Sequence, residues 1–390
     1  MITVIKDVEV YSPKYIGRKQ VLIVGNRFEG IYDEISIPTN FIHINEVDGS
    51  GKLIFPGFID NHVHIIGAGG EEGFSTRTSE IKFSELTTSG ITTAIGCLGT
   101  DGVCRDMESL IAKARSLEED GISAYCYTGS YQVPVVTVTN SIKEDLMLID
   151  KVIGVGEIAL SDHRSSQPTF EEFVKVAAEA RVGGLLSGKS GIVDIHMGVG
   201  NRRLEKVFLL LENTEIPPTQ LLPTHINRSR ELFEEGIEYL KKGGYIDLTT
   251  SSDPDYLEPG ELIASKGLKR IYDLGLPIEQ VTFSSDGQGS MPKYNENDEF
   301  MGIGICSVKS LYCEVRKAIL EEGMPIEKTI VVITSNVAKL FKLKDVGEIK
   351  AGYFADFVLV NKDDLKICDV YAKGKILVKD EKAIVKNVFE

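Results

Sequence analysis

The sequence predicts an α/β protein, a (β/α)8 TIM barrel carrying a small composite β-sandwich domain built from both chain termini. Three observations predict it. Eight short apolar runs, alternating with longer amphipathic stretches, fill residues 55–344. Near-continuous apolar strands alternating with helices imply parallel β-α units. Eight of them suit a barrel, although a doubly wound sheet shares the rhythm. Residues 1–54 and 345–390 read instead as strands and turns, without a long helical period. The tail is too small to make a good domain alone, so the two ends are expected to pair. Finally, at roughly 100–200 residues per domain, 390 residues suit two or three domains, or one large barrel with an accessory domain.

The elements follow in order. Ile2–Val10, Gln20–Val24 and Phe41–Ile44 read as strands, with Gly25-Asn26 and Asp48-Gly49 as turn signals. The barrel strands are expected at Gly57–Ile65, Thr92–Leu98, Ser123–Tyr127, Val152–Leu160, Ile192–Met197, Gln220–Ile226, Gly244–Thr250 and Gln280–Ser285. Helices are expected at Phe170–Leu186, Ser229–Lys242 and Ser307–Glu322. The first follows Thr169-x-x-Glu172, a capping-box pattern. Strands return at Ala355–Val360, Ile367–Ala372, Lys375–Val378 and Ala383–Val388.

Composition narrows the function classes. With 43 Lys and Arg against 58 Asp and Glu, the formal net charge is −15. That balance argues against nonspecific binding to nucleic acid or an anionic membrane, since both need basic surfaces. No run of 18 apolar residues suggests a transmembrane helix, and Met1–Asp7 lacks the pattern of a secretory signal. A cytoplasmic protein is expected. None of the six cysteines forms a C-x-x-C pair, so they read as reduced thiols, with Cys97 and Cys126 in the core.

The six histidines carry the most information. His62 and His64 stand two apart at the end of the first barrel strand, where period 2 points both rings to one face. His196 ends the fifth strand, His225 the sixth and Asp286 the eighth. In a barrel these strand ends converge on the C-terminal mouth, where active sites lie. A lone buried histidine usually belongs to the core. Four at matching strand ends with an aspartate form a metal-binding constellation.

Pro56-Gly-Phe-Ile-Asp60-Asn-His62-Val-His64, His196, His225 and Ser285-Asp286-Gly287 resemble the amidohydrolase superfamily. So do Thr334-Ser-Asn336-Val-Ala-Lys-Leu and Lys350-Ala-Gly352-Tyr-Phe-Ala355-Asp356. Within it, seven further fragments resemble the isoaspartyl (β-aspartyl) dipeptidases. They are Gly67-Ala-Gly-Gly-Glu71-Glu-Gly, Arg77-Thr78, Leu98-Gly-Thr100-Asp101, Gly129-Ser-Tyr131, Ser161-Asp162-His163-Arg164-Ser165, His225-Ile-Asn-Arg228 and Ser284-Ser-Asp286-Gly-Gln-Gly-Ser290. The resemblance spans essentially the whole chain.

It implies two Zn2+ ions sharing a hydroxide that hydrolyses the isopeptide bond of a small dipeptide substrate. His62 and His64 with Asp286 would hold one ion, and His196 with His225 the other. Most members bridge the ions with a carboxylated lysine, but here the position aligns with Glu157. Lys151 stands six residues earlier, about 20 Å along a strand, and cannot substitute. Glu157 is therefore read as the bridge, with a one-metal site as the alternative. Asp286 would move the proton and Tyr131 would donate to the oxyanion. Gly69, Glu71, Thr100, Tyr131, Arg164, Arg228 and Ser290 are the substrate-binding candidates. Glu71 suits the substrate ammonium, and the two arginines suit its carboxylates. Arg164 also fits a rim salt bridge, and Tyr131 a core or surface aromatic. Arg77 reads as a structural partner of Glu71 or another acid, and His163 as an outer or packing group. The glycine run lacks the Gly-Lys-Ser/Thr of a phosphate loop.

Two rivals share much of this pattern. A cyclic-amide hydrolase of the dihydroorotase or hydantoinase type would keep the metal set, but its substrate lacks the zwitterionic end that Glu71 and the arginines fit. A scaffold that lost its metals would have no need of the four histidines. The resemblance also favours a homo-oligomer.

Overall fold

The computed structural model describes residues 1–38, 43–252, 257, 260–294 and 300–390. The two chain ends build one nine-stranded sheet. Its path runs Lys382–Ala383, Lys375–Lys379, Ile367–Ala372, Phe357–Asn361, Lys52–Pro56, Ile2–Tyr11, Tyr15–Val24 and Arg27–Tyr32, with Ile44–Asp48 pairing beside Ile2–Tyr11. The seam between the ends is antiparallel, with Phe357 opposite Pro56 and Asn361 opposite Lys52. Ile5, Val8, Val21, Phe28, Ile54, Phe357 and Leu359 pack together on it. The stacked rings of Phe357 and Tyr371 have centroids 4.4 Å apart.

Lys52–Pro56 pairs in this sheet, and Gly57 separates it from the next strand, Phe58–Val63. A Cβ on Gly57 would lie 2.1 Å from the Thr92 hydroxyl, which only glycine tolerates. Two readings at the sheet margins change. Phe41 lies outside the described residues, and the strand expected there begins at Ile44. The last strand stops at Ala383 instead of continuing to Val388. The amides of Ile384 and Val385 both donate to the Leu377 carbonyl, which ends the ladder.

Among the described residues, the middle of the chain carries a six-stranded parallel sheet and a parallel pair. The six lie in sequence order: Phe58–Val63, Ile91–Gly96, Ser123–Thr128, Val152–Leu160, Ile192–Met197 and Leu221–Thr224. Ile246–Thr249 and Val281–Ser284 form a parallel pair. The eighth strand returns to the first, because Val63 bridges Gly287 in parallel and the His64 amide donates to the Gly287 carbonyl at 2.9 Å. Across the other gap, the Thr224 hydroxyl donates to Asp247 Oδ2 at 2.8 Å. Nearly every residue on these strands is buried, which explains why they read as unbroken apolar runs.

The helices between them follow local signals. Phe170–Ser187 starts at a capping box in which Thr169 Oγ1 accepts from the Glu172 amide and the Glu172 carboxylate accepts from the Thr169 amide. It ends at Gly188 with φ 70°, a left-handed cap. Among the described residues, no helix is long and apolar enough to cross a membrane.

Candidate active site

The four predicted histidines meet around one carboxylate. Glu157 Oε2 lies 3.0 Å from His196 Nδ1, 3.3 Å from His62 Nε2 and 3.7 Å from His225 Nε2. Its Oε1 lies 3.5 Å from His64 Nε2. The strand period that points His62 and His64 to one side thus aims both Nε2 atoms at the same group. Asp286 closes the ring, with Oδ1 3.0 Å from His64 Nε2 and 3.8 Å from His62 Nε2. His225 and Asp286 both have left-handed backbones, with φ 60° and 54°, just past their strand ends. Gly156 makes room beside Glu157, since a Cβ there would lie 2.7 Å from Asp194 Cβ.

Buried acids hold this ring from below. His62 Nδ1 lies 2.9 Å from Asp194 Oδ2. Asp60 ties the first strand to the Asp286 loop, because its Oδ2 accepts from the Ser285 hydroxyl at 2.5 Å. Asp247 accepts from Thr282 at 2.6 Å and Asn61 at 3.2 Å. Burial raises the pKa of Asp60 to about 7, and that of Asp194 to about 6.

The upper carboxylates are different. Burial works against their charged forms. For Glu157 the charge of His62 and the hydrogen bond with His196 outweigh it, holding the carboxyl well below its ordinary range. For Asp286, the hydrogen bond with His64 acts in the same way. Burial and the nearby Arg228 push His225 down to about 3, so it is a neutral imidazole.

The donor set fits a metal. His62 Nε2 and His225 Nε2 are buried without a hydrogen-bond partner, and both face Glu157 Oε2. Unpartnered buried nitrogens beside an ionised carboxylate are costly unless a cation joins them. Two sets of close donor atoms share Glu157: His62, His64 and Cys97 on one side, His196 and His225 on the other. Lys151 takes no part, since its ammonium pairs with Glu118 at 2.5 Å.

The substrate candidates gather beside this ring, except one. Glu71 accepts from Thr100 at 2.9 Å, Ser290 at 3.4 Å and Arg164 at 3.4 Å. Arg164 stands over the Tyr131 ring at 5.3 Å, and the Tyr131 hydroxyl lies 2.9 Å from His196 Nδ1. Arg228 Nη1 lies 3.2 Å from His196 Nε2 and donates to the Met197 carbonyl at 2.9 Å. Gly69 sits on the same loop as Glu71, but its contact is a backbone bridge to Arg77. Arg77 pairs with Asp101 rather than with Glu71, and the His163 side chain is 82% exposed. Cys97 is buried in the core as read, and its sulfur also lies 3.6 Å from His64 Nδ1.

Sequence reasoning missed three groups here. Asp162, inside the Ser161–Ser165 motif but without a role of its own there, lies 3.0 Å from His196 Nε2. Asp194 stands two residues before His196, and that period-2 spacing was the signal for a shared face. Arg105 is buried and donates to the carbonyls of Ile66, Ala68 and Thr78, clamping both sides of the Glu71 loop. Arg105→Ala takes the donor from the Ile66 and Thr78 carbonyls, while Ala68 keeps the Thr78 amide. Urea unfolding should show a loss of about 2 kcal/mol or more. A loss below about 0.5 kcal/mol would remove the clamp from the account.

Comparison with known proteins agrees with this geometry. Residues 212–388 match the sequence model of the amidohydrolase family. A β-aspartyl dipeptidase from the thermophilic keratin-degrading Fervidobacterium islandicum AW-1, solved in complex with β-Asp-Leu dipeptide, is 47% identical. It has a TM-score of 0.91, and the match covers 100% of this chain and 99% of that one. A D-hydantoinase shares the fold at 15% identity and TM-score 0.68, covering 99% of this chain and 97% of its own. An allantoinase from Desulfitobacterium hafniense is 23% identical over 96% of this chain and 90% of its own. With near-complete coverage at 47% identity, the chain belongs to the β-aspartyl dipeptidase family of amidohydrolases.

Proposed function

We propose that this protein hydrolyses the isopeptide bond of β-aspartyl dipeptides with a divalent-metal centre. One observation carries the reading. Arg164 links an acid pocket, Glu71 with Thr100 and Ser290, to His196 of the histidine ring, at 3.4 and 3.3 Å respectively. An anionic group fixed beside paired cationic groups suits a substrate with an α-ammonium and two carboxylates. A cyclic amide offers no such end.

In this reading His62 and His64 would hold one ion with Asp286, His196 and His225 would hold a second, and Glu157 would be shared between them. Nitrogen and oxygen donors suit zinc. Metal bound there supplies an activated water at neutral pH and polarises the scissile carbonyl. Asp286, held ionised, takes the proton of the attacking water and passes it to the leaving amine. Burial raises the Tyr131 pKa well above its usual value, so its hydroxyl stays neutral and donates to the developing oxyanion. Glu71 takes the ammonium, while Arg164 and Arg228 take the carboxylates. The loop around Gly69 brings backbone close to the substrate.

The proposal extends to the architecture. The eight parallel strands close into a (β/α)8 barrel, and the terminal sheet folds as a sandwich domain beside it. The domains are then residues 55–344 and the paired ends, 1–54 with 345–390. A cytoplasmic homo-oligomer completes the reading, and light scattering on the purified chain tests its oligomeric part.

The decisive experiment compares β-Asp-Leu with α-Asp-Leu, with metal counted in the same preparation. Cleavage of the β-linked peptide alone, with close to two metals per chain, is expected. Metal without cleavage of either peptide would discard the dipeptidase reading and turn the search to cyclic amides. A second expectation concerns the acid pocket. Glu71→Gln removes a charged partner worth about 1.5–3 kcal/mol, so KM for β-Asp-Leu should rise roughly ten- to a hundredfold. An unchanged KM would take the ammonium away from Glu71.

A further inference from the structure

Asp162 lies between the histidine ring and the substrate arginine, and both of its oxygens are aimed at one or the other. Its Oδ1 accepts from Arg164 Nε at 3.0 Å and from the Arg164 amide at 2.7 Å. Its Oδ2 accepts from Arg164 Nη2 at 2.8 Å and lies 3.0 Å from His196 Nε2. The Asp162 side chain is only 5% exposed, so these contacts are shielded from water. The guanidinium is gripped along its Nε–Nη2 edge, the bidentate geometry that fixes a planar fork. That leaves Nη1 as the corner turned to Glu71, at 3.4 Å.

The same carboxylate decides where the proton of His196 sits. Around Nε2 stand Asp162 Oδ2 at 3.0 Å, Arg228 Nη1 at 3.2 Å and Arg164 Nη2 at 3.3 Å. Around Nδ1 stand the Tyr131 hydroxyl at 2.9 Å and Glu157 Oε2 at 3.0 Å. A neutral imidazole carries one proton, so two arrangements compete. With the proton on Nδ1, the ring donates to Glu157 Oε2, and the Nε2 lone pair faces Asp162 Oδ2 at 3.0 Å between the two guanidinium groups. With the proton on Nε2, the ring donates to Asp162, and the Nδ1 lone pair faces Glu157 Oε2 at 3.0 Å, a repulsion that a cation held between them would remove. Only the second arrangement offers a metal a nitrogen donor there.

We propose that Asp162 is a positioning residue that sets the His196 tautomer and the Arg164 orientation together, coupling the metal side of the site to its substrate-carboxylate side. This rests on the function proposed above. The arrangement follows a general pattern in which an acid behind a ligating histidine fixes its tautomer and orientation. What is particular here is that the acid also holds the substrate arginine.

The test uses the full-length protein with four chains: wild type, Asp162→Asn, Asp162→Glu and Arg164→Ala. Each is measured for metal retention against a chelator, KM and kcat on β-Asp-Leu, and thermal midpoint. Asp162→Asn removes the negative charge that both donors face and turns an NH2 group toward one side of the contact. Metal affinity is expected to fall roughly ten- to a hundredfold, the range for loss of an acid behind a ligand. KM is expected to rise in the same variant. Arg164→Ala should raise KM and leave metal retention near wild type. Asp162→Glu should recover part of both effects.

Asp162→Asn with unchanged metal retention would overturn the His196 half, and unchanged KM would overturn the Arg164 half. A purely structural role would lower the thermal midpoint without moving metal retention or KM, which also overturns the proposal. Failure of the wild type to cleave β-Asp-Leu would strike the proposed function. The metal-retention comparison reads this inference separately.

Discussion

Glu157→Ala should empty the metal centre and abolish hydrolysis together. Glu157 lies within 3.7 Å of all four histidines, and its two oxygens divide them, with Oε1 toward His64 and Oε2 toward the other three. Without it the His62 and His225 Nε2 atoms lose the anion they face. Losing the metal removes several kcal/mol of transition-state stabilisation, so kcat/KM on β-Asp-Leu should fall by roughly a thousandfold or more. Metal content by elemental analysis should fall in the same samples. Full metal occupancy in the variant would remove Glu157 from the bridge. Bicarbonate or short acids should restore part of both quantities by supplying an oxygen anion to the vacated space. Glu157→Lys discriminates further, since bicarbonate helps it only if the new lysine becomes carboxylated.

Asp286→Asn should separate chemistry from binding. The amide keeps an oxygen near His64 but cannot accept a proton. Proton transfer by a positioned group contributes typically 10²–10⁴-fold, so kcat should drop by about that factor with KM little changed. His64 keeps Asp286 ionised across neutral pH against the cost of its burial, the state a proton acceptor needs. Metal content needs measuring beside kcat, because a drop in both would mean that Asp286 acts mainly as a ligand. A kcat within tenfold of wild type would end its role as proton carrier.

Much of this site is legible in the sequence. The two-residue spacing of His62 and His64 puts both rings on one face because side chains alternate along a strand, and the fold keeps that alternation. His196, His225 and Asp286 can be placed at strand ends because each closes an apolar run. Helix starts are legible where side chains cap the backbone locally, as at Thr169 and Glu172. The antiparallel pair Ser290–Tyr294 and Phe300–Ile305 is not. The run Met301-Gly-Ile-Gly-Ile lacks the β-α rhythm of its neighbours.

The sequence by itself determined the repeating β-α order, the joining of the chain ends by texture, and the residue types of the metal-binding ring. These depend on local period, composition and strand-end position, which travel with the chain. Only the tertiary structure decided that Asp162 faces both His196 and Arg164, that Arg105 clamps the Glu71 loop and that Arg77 turns to Asp101. It also placed the thiol of the core residue Cys97 against His64. Those outcomes depend on which carbonyl or carboxylate lies nearest once separate strands are brought together. A long side chain such as arginine reaches many candidate partners from one backbone position, and no sequence period chooses among them.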